Sequence, residues 1–133
     1  MKVGTELPVW EVGSVSAEKM KTTAALLADP TPIHFDVDAV RALGMGDRPV
    51  NQGPLNMGYV MNAVTAWAGG PDRLRRLRVR FRGPVFAGDR VRVRGTVTAV
   101  REEDGVRLAD CDVALEVDGG EPAVTGTATV VLP

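Results

Sequence analysis

A single histidine and an aspartate five residues before it are the residues best suited to acid–base chemistry. His34 is the only histidine in the 133-residue chain, and Asp29 precedes it. Because Pro30 and Pro32 restrict the backbone between them, we expect a stiff loop that holds the carboxylate close to the imidazole. Such a pair can act as general acid and base, and the carboxylate can also fix the imidazole tautomer. A simpler interpretation stays open, in which Asp29 caps the following turn and His34 is merely exposed.

Gly53 is the third candidate, because it stands directly before a proline and a long apolar segment. A glycine at a helix N-terminus lets a ligand approach the backbone closely. Free N–H groups and the helix dipole favour negative charge at that point. The Gly53 N–H is therefore suited to stabilise a developing oxyanion, such as the carbonyl oxygen of a thioester. An ordinary glycine N-cap explains the same residue.

The composition is that of a soluble globular protein. Hydrophobic residues make up 44% of the chain, charged residues 25%, and the formal net charge is -1, so nothing supports nucleic-acid binding. No segment approaches the ~18 apolar residues of a transmembrane helix, and the N-terminus does not resemble a signal peptide. The one cysteine, Cys111, cannot form an internal disulfide, so we expect a core thiol and a reducing cytoplasm. Asp36 and Asp38 beside His34 are too few ligands for a metal site, and we predict none.

A helical first half and a strand-rich second half must position these residues. Ser16 is typical of a helix N-cap, and Pro54 suits the first turn of a helix that Gly69-Gly70-Pro71 ends. That helix is apolar on nearly all sides, which predicts that it is buried. Alternating apolar and charged residues indicate strands, and Glu103-Asp104-Gly105 predicts a tight antiparallel turn. The predicted helices are Ser16–Ala28, Val37–Leu43 and Pro54–Ala68; the predicted strands are Pro8–Val15, Leu77–Gly83, Asp89–Val100, Val106–Val117 and Ala123–Leu132; Asp29–Asp36 is a loop.

These elements predict a single α+β domain over residues 1–133, with an antiparallel sheet wrapped around a central buried helix. One face of the sheet covers the helix, and the other face is polar. A single layer of this kind leaves one edge strand and one side of the helix uncovered. Since pairing with another subunit removes an exposed edge, we predict a dimer, either of identical chains or of two different ones.

One motif joins all three candidate residues. It consists of Asp29 to Asp36, Ala39, Gly44 and Val50-Asn51-Gln52-Gly53 ahead of the apolar helix, with Phe81 to Asp89 and Val124 to Ala128 further along the chain. This pattern resembles that of MaoC-like (R)-specific enoyl-CoA hydratases and 3-hydroxyacyl dehydratases. The resemblance spans nearly the whole chain, from about residue 24 to the end, and it implies a single hot-dog fold.

The resemblance implies a reaction as well as a fold. Asp29 and His34 together position and activate a water, which adds to C3 of a trans-2-enoyl thioester while a proton is delivered to C2. The Gly53 N–H stabilises the enolate-like oxygen, and the product is a (3R)-3-hydroxyacyl thioester. The substrate is carried by coenzyme A or by acyl carrier protein, and no metal or redox cofactor is implied.

Two residues near the implied acyl pocket depart from the family pattern. Family members usually have histidine where this chain has Gln52, and many have serine where it has Gly58. Neither change removes the acid–base pair, so Gln52, its neighbour Asn51 and Gly58 are assigned to substrate binding. Glycine inside a helix costs about 1 kcal/mol relative to alanine. Either room for a bulky group or tight packing against a strand explains Gly58.

Three other functions stay open. Val50-Asn51 and the helix end Val64–Gly69 also resemble small subunits of heteromeric actinobacterial dehydratases for mycolic-acid intermediates or steroid side chains. With Asp29 and His34 both present, this chain would be the catalytic subunit of such a pair. A hot-dog thioesterase usually has an acidic residue on or near the central helix, and Pro54–Ala68 has none. A non-catalytic acyl-binding subunit would not need the acid–base pair.

Arginines are concentrated in one part of the chain and acids in another. Residues 73–94 hold nine arginines and one acid, whereas residues 101–121 hold eight acids and two arginines. The group from Arg73 to Arg82 fits a solvated face and a site for carrier phosphates equally well. Three later arginines share strand parity with three acids, which predicts cross-strand ion pairs. They are Arg90, Arg92 and Arg94, opposite Asp110, Asp112 and Glu116.

Overall fold

The computed structural model describes residues 1–118 and 120–133. The helices lie mainly in the first half of the chain, and most strands of a five-stranded sheet lie in the second half. All the predicted helices and strands are present, with ends shifted by a few residues. The α-helices are α1 (Ala17–Leu26), α2 (Val37–Ala42) and α3 (Gly53–Ala68), and short 3-10 turns lie at Pro32–His34 and Pro71–Arg73. The strands are β1 (Trp10–Val12), β2 (Leu74–Phe81), β3 (Val91–Glu103), β4 (Val106–Val117) and β5 (Pro122–Val131).

The ends of α1 and α3 follow from local sequence. The Ser16 side chain accepts the Lys19 N–H at 3.2 Å and so caps α1, as predicted. Helix α3 begins at Gly53, one residue before the predicted start, and its C-cap is Gly69 with φ 99°, a conformation that favours glycine. Within the described part of the chain, none of the helices combines the length and apolarity needed to cross a membrane.

The sheet is antiparallel throughout, in the order β1-β3-β4-β5-β2. Strands β3 and β4 form the predicted hairpin around Asp104 and Gly105, whose φ values are 50° and 78°. Positive φ at both central residues is the signature of the type I′ turn, which matches the twist of the two strands. Because they stand at the two ends of the strand order, β1 and β2 form the edges of the sheet.

Helix α3 supplies the centre of the core, as its apolar character predicts. Val60 and Val64 are fully buried, and they share one cluster with inward residues of the sheet such as Leu115 and Val124. Each fully buried side chain of this size stabilises the fold by roughly 1.5–3 kcal/mol relative to an exposed one. This packing holds α3 in place, and it therefore fixes the N-terminus of α3 relative to the sheet. The predicted α+β arrangement is confirmed.

The predicted ends of two strands are wrong. Strand β2 begins at Leu74 instead of Leu77, because a register irregularity between Leu74 and Arg76 extends its pairing with β5. Strand β3 begins at Val91 instead of Asp89, because the Asp89 carboxylate closes the preceding turn by accepting the Phe86 N–H at 2.9 Å.

The ion pairs on the outer face of the sheet differ in part from the prediction. Arg94 contacts Glu116 at 3.1 Å, as predicted. The other arginines and acids have different partners, because the β3–β4 register places Arg92 opposite Glu116, whereas Asp112 lies opposite Thr96 and Asp110 opposite Ala99. The observed pairs are Arg92–Asp118 at 2.9 Å, Arg90–Glu11 at 3.1 Å and Arg101–Asp110 at 2.9 Å.

Candidate active site

The loop after α1 brings Asp29 and His34 together, as the two prolines predict. The turn Pro32–His34 folds the loop back, and Asp29 Oδ2 lies 3.6 Å from His34 Nε2. The other carboxylate oxygen, Oδ1, accepts the Thr31 N–H at 3.0 Å. Asp29 thus does cap the local turn, and it also faces the imidazole. The His34 side chain is only 12% exposed, so the interpretation of a merely exposed histidine is wrong.

A backbone carbonyl fixes the His34 ring. His34 Nδ1 lies 2.7 Å from the carbonyl oxygen of Val50. A carbonyl can only accept, so Nδ1 carries the proton of the neutral ring and Nε2 keeps its lone pair. The expectation that Asp29 would fix the tautomer is therefore wrong, because Val50 performs that task. The distance from the Asp29 carboxylate to His34 Nε2 is too long for a direct hydrogen bond and is suited to a bridging water.

Asp29 is held in its charged form. Hydrogen bonds from the Thr31 side chain and the Thr31 backbone N–H lower the pKa of Asp29 below its ordinary value, and the nearby His34 contributes a smaller lowering. A carboxylate that accepts such hydrogen bonds is favoured over the neutral acid. The site thus contains a carboxylate that faces the Nε2 edge of the His34 ring.

The segment that leads into α3 is anchored on both sides of Val50. The Val50 N–H donates to the Ile33 carbonyl at 2.8 Å, while the Val50 carbonyl accepts from His34. Val50 also forms an isolated antiparallel bridge with Phe86, and the Asn51 N–H donates to the neighbouring Val85 carbonyl at 2.7 Å. The orientation of the imidazole is therefore set by a segment of chain far from it in sequence.

An ion pair between Arg48 and Asp89 stabilises this anchor, and the sequence analysis missed it. Arg48 Nη1 donates to Asp89 Oδ1 at 2.8 Å and to the Ala87 carbonyl at 3.0 Å. Its guanidinium lies 5.2 Å from the centre of the Phe86 ring, and the Asp89 side chain is 11% exposed. These contacts clamp the segment around Val50 against the turn before β3. The Gly-Asp turn at the end of the motif was the one sequence signal for this contact.

The first N–H of α3 is a free donor. The Leu55 and Asn56 N–H groups both donate to the Gln52 carbonyl at 3.1 Å, and Pro54 has no N–H. The Gly53 N–H makes no hydrogen bond with any group of residues 1–118 and 120–133. It is thus available to an oxyanion, and the helix dipole adds to its positive potential.

The space around the two helix glycines differs. A Cβ on Gly53 would lie 3.3 Å from Cζ of the Phe81 ring, so the backbone here is closely approached by β2. A Cβ on Gly58 would meet nothing within 4 Å. Tight packing against a strand therefore does not explain Gly58, and the structure has open space at that position.

Asn51 and Gln52 are both buried, with their amides turned to the protein. Asn51 Nδ2 donates to Asn56 Oδ1 at 2.7 Å, and Gln52 Nε2 donates to the Met20 carbonyl at 2.7 Å. Each has a buried side-chain oxygen without a hydrogen-bond partner in the described residues. Burial raises the pKa of the neighbouring Tyr59, and its contact with Asn51 lowers it by less. These amides fix the entry to α3, and their two side-chain oxygens are buried beside it without a partner in the described residues.

Neither a metal cluster nor a reactive thiol is found in the part of the chain that the structure describes. No three His, Cys, Asp or Glu side chains there are close enough to hold a metal ion. Cys111 is fully buried, as its strand parity predicts, and burial raises its pKa to about 11. A thiol in that state is a poor nucleophile. The titratable side chains that the loop brings together are Asp29 and His34, a pair whose types suit acid–base chemistry.

Comparison with known proteins agrees with this geometry. The MaoC like domain profile matches residues 5–118. Over 118 residues the chain is 32% identical to the (R)-specific enoyl-CoA hydratase of Aeromonas caviae, covering 88% of this chain and 86% of that protein. An (R)-hydratase structure from A. caviae has a TM-score of 0.85 at 28% identity, with 100% of this chain and 98% of that one covered.

A second solved structure extends the comparison to a complex. One chain of the ChsH1-ChsH2 complex from Mycobacterium tuberculosis has a TM-score of 0.82 at 27% identity, covering 100% of this chain and 99% of that one. The sheet around a central helix is thus shared with hydratase structures of the hot-dog fold. Since the profile match covers most of its length, the chain belongs to the MaoC-like hydratase and dehydratase family.

Proposed function

We propose that the chain catalyses the reversible hydration of trans-2-enoyl thioesters to (3R)-3-hydroxyacyl thioesters. The observation that carries this proposal is the state of the acid–base pair. His34 donates from Nδ1 to Val50 and keeps a lone pair on Nε2, which faces the Asp29 carboxylate across 3.6 Å. A water held between these two acceptors has one hydrogen directed to each of them and an oxygen lone pair directed outward.

The proposed reaction adds one water across the double bond. His34 Nε2 accepts a proton as the water oxygen bonds to C3, and the electron pair of the double bond moves through C2 to the thioester oxygen. The enolate then collapses, and the proton held by the Asp29–His34 pair passes to C2. Dehydration uses the same steps in reverse. A general acid–base pair of this kind contributes typically about 10²–10⁴-fold to the rate.

The Gly53 N–H is proposed to stabilise the enolate oxygen. It is the free donor of the first turn of α3, and its value lies in the transition state, where the oxygen carries more negative charge than in the substrate. His34 and Gly53 are coupled by the short segment that starts at Val50. One anchored segment thus sets the positions of both the base and the oxyanion donor.

The remaining site residues are proposed to shape the acyl pocket. Gly58 leaves open space along α3, where an acyl chain can lie. Asn51 and Gln52 place unpartnered oxygens next to the helix start, where they can accept a hydrogen bond from a substrate or a bound water. The thioester is carried by coenzyme A or acyl carrier protein, and the proposed steps use no cofactor.

A heteromeric enzyme is the second candidate, because the chain resembles a member of a two-component complex over its whole length. In that case this chain, which has both Asp29 and His34, is the catalytic member. A thioesterase receives less support, since no Asp or Glu lies on α3.

The test is the loss of the conjugated enoyl-thioester absorbance with short, long and steroid-derived trans-2-enoyl-CoA substrates. We expect turnover by the unmodified protein and a loss of at least about 10²-fold in kcat/KM for His34→Ala and for Asp29→Asn. Asp36→Asn is the matched control, because Asp36 is exposed in the same loop and only caps α2. Equal turnover by His34→Ala and the unmodified protein would refute the proposal, and release of free thiol would identify a thioesterase.

A further inference from the structure

A short length of antiparallel pairing lies outside the main sheet and next to the site. Val50 and Phe86 stand opposite each other in an isolated antiparallel bridge. Two backbone hydrogen bonds flank this bridge and hold residues 49–51 against residues 85–87. They run from the Asn51 N–H to the Val85 carbonyl at 2.7 Å, and from the Ala87 N–H to the Pro49 carbonyl at 2.9 Å.

This pairing directs the backbone groups of Val50 toward the loop that carries His34. Because the two hydrogen bonds lie on either side of the bridge, Val50 and Phe86 form a non-hydrogen-bonded pair, and each turns its own N–H and carbonyl away from the other. The Val50 N–H donates to the Ile33 carbonyl at 2.8 Å, and the Val50 carbonyl oxygen lies 2.7 Å from His34 Nδ1. The bridge to Phe86 therefore aims the carbonyl that fixes the imidazole.

Asp89 engages both backbone groups of Phe86 on the far side of the bridge. Its own N–H donates to the Phe86 carbonyl at 3.1 Å, and its Oδ2 accepts the Phe86 N–H at 2.9 Å. The other carboxylate oxygen, Oδ1, accepts Arg48 Nη1 at 2.8 Å. Hydrogen bonds to an ionised carboxylate are stronger than those between neutral groups, so Asp89 holds Phe86 firmly in place.

Arg48 connects the two paired segments through its side chain. It directly precedes residues 49–51, and the nitrogen that binds Asp89 also donates to the Ala87 carbonyl at 3.0 Å. The guanidinium lies 5.2 Å from the centre of the Phe86 ring. The Arg48 side chain is half-exposed, and an ion pair with an exposed member adds little to the stability of a fold. Its main effect is therefore to hold the two segments in register.

We infer that Asp89 and Arg48 are positioning residues that select the tautomer of His34. They fix the backbone of Phe86, and its bridge aims the Val50 carbonyl. That carbonyl keeps the proton of the neutral ring on His34 Nδ1 and leaves the lone pair on Nε2. The effect on turnover rests on the proposed function, whereas the effect on the imidazole is independent of any substrate.

The first measurement is the tautomer ratio of His34 by NMR. Since His34 is the only histidine of the chain, nitrogen-15 labelling of histidine reports on one imidazole. The ratio is measured above the range of about pH 5–8 in which histidine usually titrates. We expect the Nδ1–H form to predominate in the unmodified protein. In Asp89→Ala the ratio of the Nε2–H to the Nδ1–H form should rise at least about fivefold, as when an ordinary hydrogen bond is lost.

The second measurement is turnover of enoyl thioesters by the same variants. A displaced base should lower kcat by about 10- to 100-fold and leave KM nearly unchanged, because the substrate-binding groups are intact. Arg48→Met should show smaller changes of the same kind in both measurements, and Arg48→Lys, which keeps a cation beside Asp89, should restore most of them. The matched control is Arg92→Met with Asp118→Ala, which removes an ion pair of 2.9 Å on the outer face of the sheet. It should change neither the tautomer ratio nor kcat.

Two results would overturn the inference. One is an unchanged tautomer ratio in variants that fold, and the other is a fall in kcat without a change in that ratio, since the pair would then act by another route than His34. If Asp89→Ala does not fold, Arg48→Met decides the question, because it leaves the hydrogen bonds between Asp89 and Phe86 in place. An unmodified protein without turnover would refute the hydratase proposal, while the tautomer ratio would still test this inference.

Discussion

The contribution of the free Gly53 N–H can be isolated by comparing Gly53→Pro with Gly53→Ala. Gly53 is the first residue of α3, where proline is well tolerated. The preceding Gln52 has φ -66° and ψ 146°, which is the conformation that a residue before proline prefers. Both variants add a Cβ next to Phe81, and only the proline variant lacks the N–H.

The magnitudes follow from these contacts. The added Cβ would lie 3.3 Å from Phe81 Cζ, so the exposed ring must move by a few tenths of an ångström, and we expect a small loss of activity in the alanine variant. Removal of one oxyanion donor typically lowers kcat by about 10²–10³-fold, or about 2.7–4 kcal/mol of transition-state stabilisation. The proline variant should therefore be slower than the alanine variant by about that factor.

The assay measures enoyl-CoA hydration at a saturating concentration of the enoyl-CoA. Thermal unfolding of both variants is the control for folding. The two unfolding temperatures should be similar, because the Gly53 N–H makes no hydrogen bond that the fold would lose. Equal kcat values for the two variants, with both folded, would show that this N–H does not stabilise the transition state. The oxyanion assignment would then be wrong even if His34 and Asp29 are essential.

Substitutions at three other positions test the Asp29 carboxylate, the sheet and helix α3. Thr31→Val removes the hydroxyl that lowers the Asp29 pKa, so the NMR titration midpoint of Asp29 should move to higher pH, and Thr31→Ser should restore it. A carboxyl group whose pKa is lower in the folded state stabilises the fold at a pH above its unfolded-state pKa. That stabilisation is lost as the pH falls through the folded-state pKa, so Thr31→Val should lose it at a higher pH than the unmodified protein. Gly126→Ala places a Cβ in collision with the Arg78 carbonyl oxygen and should destabilise the protein by about 2–4 kcal/mol in chemical denaturation. Gly58→Ala, which meets open space, should stabilise it by up to about 1 kcal/mol; equal stability of the two alanine variants would contradict the observed packing.

Those parts of the site that depend on neighbouring residues could be predicted from the sequence. The closeness of Asp29 and His34 follows from a short loop with two prolines, and the start of α3 follows from a glycine and a proline before an apolar segment. The tautomer of His34 could not be predicted, because it is set by the carbonyl of Val50, 16 residues away. Every residue has a carbonyl, so such a contact has no sequence signature.

Contacts between distant segments were the main source of error in the sheet as well. The ion-pair partners of β3 depend on its register with β4, which places Arg92 opposite Glu116. Strand parity shows which residues share a face, but it does not show which arginine faces which acid. Arg48 and Asp89 are 41 positions apart, and each alone is an ordinary polar residue of a loop. Their role depends on the contact between them, and a contact between such distant positions is visible only in the folded structure.

The anchoring of Val50 connects the proposed acid–base pair to the proposed oxyanion donor. The N–H and the carbonyl of Val50 are both engaged by the loop that carries His34, while Gly53 begins α3 three residues later. A displacement of this segment would move the base and the donor together, which preserves their separation. The Arg48–Asp89 pair resists such a displacement from one side, and the buried Gln52 amide resists it from the other by its bond to α1. Precise geometry at this site is thus achieved by a short segment with fixed ends, although most of the functional groups lie outside the regular helices and strands.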